Sequence, residues 1–402
     1  MRPLLVVGFV VVTFAASLRG FDTSPLAPSS ALPSASTAAT MYSSATSDYT
    51  SPSPVIKCDV HCCNCKGIQA KCEVRNGQKV NYLPRLPAKI RDFWMVGADL
   101  QNLTRSMMAN LSNFDITAMN LIRNTVSYIE ATAFADFPKL ESLDLSGNPI
   151  PMQELHAALR GITSTFMHTL TLGAMELASL PDDFFGMFLN KTFKKVNLQQ
   201  NHLKSFNNAI FAAFWEVGVI DISSNELSEV NMTAQVNTGK LILRDNEFQQ
   251  FPDLCLHRSP TTGKTGYFRA FHSLTAIFIS DNPFKQIHPS TLRGDCLPSL
   301  KKLDISGSDP LKTLEDNFIA DLPKLEDIVV DRMKLKRYER YAFNSSSLKS
   351  LSLSENERLD RKVVDIPNMF SYCPNLEVSL TLSLPPSLFL KYDFLISIST
   401  VV

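Results

Sequence analysis

In the stretch LESLDLSGNPI (140–150), apolar Leu140, Leu143 and Leu145 interleave with polar residues, and Ser146-Gly147-Asn148-Pro149 then supplies turn residues. Alternation with period two predicts a short half-buried strand closed by a tight turn. The same phase returns along the chain. Good copies are FKKVNLQQN (193–201), VGVIDISSN (217–225), LTAIFISDN (274–282) and LKSLSLSEN (348–356). Weaker copies are IRDFWMVGA (90–98), ITAMNLIRN (116–124), MHTLTLGAM (167–175), TGKLILRDN (238–246), LKKLDISGS (300–308) and LEDIVVDRM (325–333). With the first stretch these make eleven, their ninth positions about 26 residues apart.

Positions 1, 4 and 6 of each unit are predicted to face a core, and 2, 3, 5, 7 and 8 to face outward. Ten residues after the ninth position a phenylalanine recurs, at Phe134, Phe185, Phe211, Phe318 and Phe343, so a stack of rings is expected along the back. A lone unit buries six or seven side chains, worth roughly 1.5–3 kcal/mol each. Ordering its backbone and side chains costs on the order of 1.5 kcal/mol per residue. The second sum is larger, so neighbours must share one interior, which predicts a parallel-sheet solenoid. The ninth position holds Ala98, Met175, Ser308 and Met333 instead of asparagine, so local irregularity is expected there. Between Asn246 and Asn282 the unit lengthens, and HRSPTTGKTGYF (257–268) reads as a protruding loop.

The pattern LxxLxLxxNxLxxL resembles the extracellular leucine-rich repeat family. The resemblance implies an α/β horseshoe with a parallel sheet on its concave face and irregular or short helical segments on its convex face. It covers about residues 58–377, with the repeat array at 90–377. CDVHCCNCKGIQAKC (58–72) looks like the family's N-terminal cysteine cap, continuing to residue 89. Disulfides are implied among Cys58, Cys62, Cys63, Cys65 and Cys72, either Cys62 or Cys63 being the surplus one. Zinc on the same cysteines with His61 is the rival, and disulfides suit a secreted chain better. Cys255 and Cys296 fall on adjacent repeats and form a candidate bridge; Cys373 is too distant from the cap to reach it.

Residues 1–20 carry one early arginine, an apolar run and then small residues, the layout of a secretory signal peptide. Residues 21–57 are dominated by Ser, Thr, Ala and Pro and predict a disordered stalk. No later stretch is long and apolar enough to predict a membrane span. Residues 378–402 break the repeat and form an aberrant tail; a short secreted form and an incomplete longer receptor both stay open, the second preferred. Lys+Arg and Asp+Glu both number 39, so charge gives no pull toward nucleic acid. The histidines form no HExxH and no serine sits in GxSxG, so no catalytic residue, cofactor or metal is expected. Arg293-Gly294-Asp295 resembles an integrin-binding tripeptide but reads as a loop beside Cys296.

Sequons place candidate N-glycosylation at Asn102, Asn110, Asn190, Asn231 and Asn344, none in a predicted strand. That leaves the concave face open. Its fifth positions include Trp94, Ile242, Phe278 and Val329, with Arg244, Asp245 and Asp281 alongside; apolar groups flanked by charge are typical interface anchors. These seven are the candidate ligand-binding residues, the alternative being that they pack beneath the long loop. The fold resembles Toll-like receptor ectodomains, which implies extracellular recognition of a protein, glycan or microbial ligand on the concave or lateral face, with an innate immune role. Small leucine-rich proteoglycans are the second resemblance and imply a matrix-binding role. Dimerisation is an open alternative in both.

Overall fold

In all eleven copies the side chains at positions 1, 4 and 6 are buried, including Leu140, Leu143 and Leu145 in one unit and Val217, Ile220 and Ile222 three units on. The computed structural model describes residues 63–75, 79–87, 89–112, 115–258, 261–339, 341–356 and 373–380, with the strand segments Thr13–Ala15 and Leu395–Ser399. The expected stalk, Cys58, Cys62 and nearly all of the expected signal peptide lie outside the described residues.

The repeats supply β3 (Asp92–Val96), β4 (Ala118–Ile122), β5 (Ser142–Asp144), β6 (Thr169–Thr171), β7 (Thr192–Asn197) and β8 (Glu216–Asp221). They continue as β9 (Thr238–Ile242), β10 (Ala276–Phe278), β11 (Lys302–Asp304), β12 (Asp327–Val329) and β13 (Ser350–Ser352). Two cap strands precede them, β1 (Cys63–Lys66) and β2 (Gln69–Glu73), paired antiparallel. Together they make one 13-stranded sheet in chain order, parallel from β2 onward. The fifth positions form a single ladder, Trp94↔Asn120↔Asp144↔Thr171↔Asn197↔Asp221↔Ile242↔Phe278↔Asp304↔Val329↔Ser352. Leu143, Ile222 and Leu353 belong to one continuous core. Glu377–Leu380 pairs antiparallel with Leu395–Ser399 and does not join this sheet.

The turn after each strand explains why the ninth position favours asparagine. The eighth residue adopts positive φ in every copy, from Gly97 and Arg123 to Arg332 and Glu355. Only Gly97, Gly147 and Gly307 do so without a side-chain penalty. The buried amide that follows stabilises the bend. Asn225 Nδ2 donates to Leu198 O at 3.0 Å and to Ile222 O at 3.2 Å, while its Oδ1 accepts from Leu203 N at 3.1 Å. Two of these partners belong to the preceding repeat.

The expected irregularity at the substituted slots does not reach the sheet. Ala98, Met175 and Met333 each donate their backbone N–H to the asparagine of the next repeat, Asn124, Asn201 and Asn356, at 2.9–3.0 Å. At the fourth slot the Ser308 hydroxyl donates to Ile305 O at 3.2 Å.

Three strands end in Asp-x-Ser, and there the fifth-position carboxylate accepts the N–H of the seventh residue: Asp144 from Ser146, Asp221 from Ser223 and Asp304 from Ser306. Lys195 pairs with Asp221 at 3.0 Å and Arg244 with Asp304 at 2.8 Å. Asp144 has Ala118 and Val96 at the positions corresponding to those cations. Burial pushes its carboxyl above the ordinary 3.8, offset in part by Ser146.

The convex side carries two short helices, Arg105–Ser112 and Met152–Arg160, and brief 3-10 turns, as expected. All five recurrent phenylalanines are buried, and Phe185 stacks on Phe211 with centroids 5.4 Å apart. Around that pair the rings form a wider cluster with Phe184, Phe188, Phe193 and Phe214, not a single file. Cys63 is bonded to Cys72 and Cys255 to Cys296; Cys65 is also in a disulfide. A sulfur in a disulfide offers no thiolate to a metal, which removes Cys63, Cys65 and Cys72 from the zinc alternative. Cys373 is a free, buried thiol donating to Phe343 O at 2.6 Å.

Asn225→Ala strands buried polar groups on two repeats and is expected to cost about 2–4 kcal/mol in urea unfolding; a loss within about 0.5 kcal/mol, the range of surface substitutions, would refute the amide's role. Asp144→Asn tests the buried acid. A carboxyl whose folded pKa is raised contributes most when protonated, and that contribution is lost as pH rises through the folded value. The variant should therefore melt above the parent at neutral pH, with the gap closing below 3.8. A gap that persists at low pH would show that the charge is not its cause.

Candidate functional site

Strand register brings Ile242, Phe278, Asp304 and Val329 onto four successive strands, β9 to β12, as one outward row. Ile242, Phe278 and Val329 are half-buried, whereas Asp304 is buried. Arg244 lies two residues beyond Ile242 on the same face. Its guanidinium carbon sits 4.9 Å from the centroid of the Phe278 ring, and its Nη2 donates to Asp304 Oδ2 at 2.8 Å. The charged group thus spans two strands, resting on an aromatic face and held by a carboxylate. At the turn edge of the row, Asp281 pairs with Arg332 at 3.4 Å. Asp245 is exposed in the neighbouring turn, at φ 53°.

Five of the expected residues, Ile242, Arg244, Asp245, Phe278 and Asp281, therefore belong to one patch, with Val329 at its far side across Asp304. Trp94 does not belong to it. It stands on β3, six strands before β9 and so roughly 29 Å away at 4.8 Å per strand, with the Lys71 amino group 5.2 Å from its ring centroid. Asp304 and Arg332 are patch members that the sequence reading passed over. The signal for Asp304 lay in the fifth-position column itself, but its partner Arg244 is 60 residues away.

The 257–268 insertion forms an antiparallel hairpin, Cys255–Arg258 with Thr265–Arg269. Its Tyr267 ring meets His257 at 5.3 Å and the Arg293 guanidinium at 4.0 Å, so these contacts run toward the return segment before β11. Phe278 is overlain by Arg244 instead. The same contacts occupy the Arg-Gly-Asp tripeptide. Arg293 is stacked on Tyr267 and lies 3.8 Å from Asp295, and a Cβ at Gly294 would fall 2.1 Å from Asp321 O.

A second concave feature lies toward the N-terminal end. Asp144, Ser146, Gly147, Thr171, Gly173 and Asn197 line an open polar hollow of about 360 Å³, with Arg123 at its rim. Among the described residues no group of three or more His, Cys, Asp or Glu side chains is placed to hold a metal ion, and no helix is long and apolar enough to cross a membrane.

A model of BspA-type leucine-rich repeat regions matches residues 245–377 in six copies. Among curated proteins the chain is 23% identical over 283 residues to the CD180 antigen of Mus musculus, covering 64% of this chain and 42% of that protein. It is 22% identical over 264 residues to Tsukushi of Gallus gallus, covering 64% of this chain and 65% of that protein. The chain thus spans less than two thirds of either relative. Among solved structures, a chain of the octameric complex of Latrophilin 3 (Lec, Olf), Unc5D (Ig, Ig2, TSP1) and FLRT2 (LRR) superposes with a TM-score of 0.50 at 16% identity, over 80% of this chain and 83% of that one. The repeated strand and turn, the unbroken ladder and these likenesses together identify a leucine-rich repeat protein that resembles Toll-like receptor ectodomains and the small leucine-rich proteoglycans.

Proposed function

We propose that this chain is an extracellular recognition protein that binds a protein ligand on its concave face at the Ile242–Phe278–Arg244 patch. One observation carries the reading. Along a fifth-position ladder otherwise dominated by Asp, Asn and Thr, adjacent strands present Ile242 and Phe278 with a guanidinium already stacked on the ring. Apolar groups on a solvated sheet lose free energy to water unless a partner covers them, and an ordered arginine on an aromatic ring is a common interface anchor. Arg244 keeps donors beyond the one held by Asp304, so a partner's carboxylate or carbonyl can meet it without breaking the existing pair.

Secretion through the 1–20 segment, a glycosylated 21–57 stalk and an innate immune role belong to the same reading, supported by the resemblance to Toll-like receptor ectodomains. A matrix protein as ligand would favour the proteoglycan-like role.

The test is a screen of the secreted chain against an arrayed library of extracellular protein domains, repeated with Phe278→Ala and Arg244→Ala. Each variant is expected to weaken the recovered interaction by roughly tenfold or more, about 1.4 kcal/mol, while remaining folded at the assay temperature by circular dichroism. Full affinity in both variants would remove the patch as the site.

A further inference from the structure

The most exposed large apolar side chains among the described residues are Phe166, Leu189 and Trp215, at 59%, 65% and 68%. They do not scatter. Each sits where the chain turns into its strand, just before β6, β7 and β8, on three consecutive repeats. Hydrogen bonds tie these segments side by side. Asn190 N donates to Ala213 O at 2.7 Å, Trp215 N to Lys191 O at 2.9 Å, and Lys191 Nζ to Ser164 O at 2.9 Å. All three lie at the strand-entry edge of three successive repeats, outside the concave row, and the Leu189 and Trp215 segments are directly hydrogen-bonded to each other. Scattered exposed apolar residues need no explanation, but a contiguous set marks a surface that something covers.

The sequence names an occupant. Asn190-Lys191-Thr192 is a sequon, and its asparagine comes one residue after Leu189. Asn190 is exposed and turns at φ 59°, and Thr192 is exposed beside it. By contrast Asn344 is half-buried, with its Nδ2 donating to Asn317 Oδ1 at 3.3 Å. The neighbouring segment that carries Trp215 runs about one strand spacing away, roughly 5 Å, within reach of the first sugars of an N-linked glycan. A pyranose ring offers a face of C–H groups with hydroxyls at its rim. An exposed indole face is a fitting partner for it, apolar and electron-rich.

We propose that Asn190 carries an N-linked glycan whose core sugars lie along Leu189 and Trp215 and cover both. This rests on the extracellular reading above. The glycan shields apolar surface that would otherwise promote association, and it directs ligand binding to the concave face.

The full chain, secreted from mammalian cells, is mapped by glycopeptide mass spectrometry. Acrylamide quenching of Trp215 is then compared between native protein, protein after enzymatic glycan release and Asn190→Gln. The chain has only 2 tryptophans, so Trp215→Phe isolates the Trp94 signal for subtraction. Asn190 is expected to be occupied in most molecules, with quenching of Trp215 rising about twofold once one ring face is uncovered. An unmodified Asn190 beside glycosylated Asn102 and Asn231 overturns the proposal and leaves the extracellular reading standing. No glycan at any sequon likewise overturns the proposal, whereas a chain that never reaches the medium removes the extracellular reading on which it rests. Occupancy with unchanged quenching shows that the glycan points away, and a dimer of the glycosylated chain broken by Trp215→Asp assigns that surface to a second copy; either result overturns the proposal.

Discussion

The structure depends on a backbone debt that passes from one repeat to the next. Each turn bends through a left-handed residue, usually not glycine, and leaves polar groups facing the interior. A buried asparagine amide satisfies its own strand's carbonyl and reaches back to the preceding turn. No repeat closes its hydrogen bonds alone. This explains why losing the asparagine at position 98, 175 or 333 does not break the array: the N–H there is still accepted by the amide of the following repeat. The sheet is a single continuous object because its turns are.

That continuity also sets the chemistry of the concave face. A fifth-position aspartate in an Asp-x-Ser strand end is occupied with backbone and serine before any ligand arrives. Acid on this face is thus partly a folding device. Where the ladder carries Ile242, Phe278 and Val329, the repeat forgoes that device and exposes apolar surface. Departures from an otherwise consistent local pattern are where function is expected, since they cost stability and return none. Arg244 spans the departure, from an apolar repeat to the aspartate two strands on.

Period-two alternation held in one phase is a local signal, and eleven strands, their register and the buried positions were legible from it. The protrusion at the lengthened repeat, though not its pairing as a hairpin, and the Cys255–Cys296 bridge were legible for a related reason, since both lie where spacing departs from a known period. What escaped depends on residues far apart in the chain or on return segments of variable length. Asn208 is a fully buried second latch on the back, accepting from Thr233 and Ala234 and donating to Ala234 O, and nothing in its local sequence separates it from a surface asparagine. Phe166, Leu189 and Trp215 stand one, four and two residues before the first positions Met167, Phe193 and Val217 of their repeats, an offset that no fixed period encodes. Among the cap cysteines, the Cys63–Cys72 pairing follows from the antiparallel register of β1 with β2, which composition does not reveal.

The candidate patch lies on the repeats best placed to hold it still. Cys255 follows β9 and Cys296 follows β10, so their disulfide braces the return segments behind the strands that carry Ile242 and Phe278. Closing a loop with a sequence separation of 41 removes conformational freedom worth about 4 kcal/mol from the unfolded chain. The 36-residue unit between Asn246 and Asn282 is the longest of the array and the one most in need of that constraint. Arg293, stacked on Tyr267 across the hairpin, adds a second tie in the same place. Binding energy is spent on ordering whatever is loose at an interface. A row of half-buried side chains on a parallel sheet, with its backing cross-linked, spends little of it.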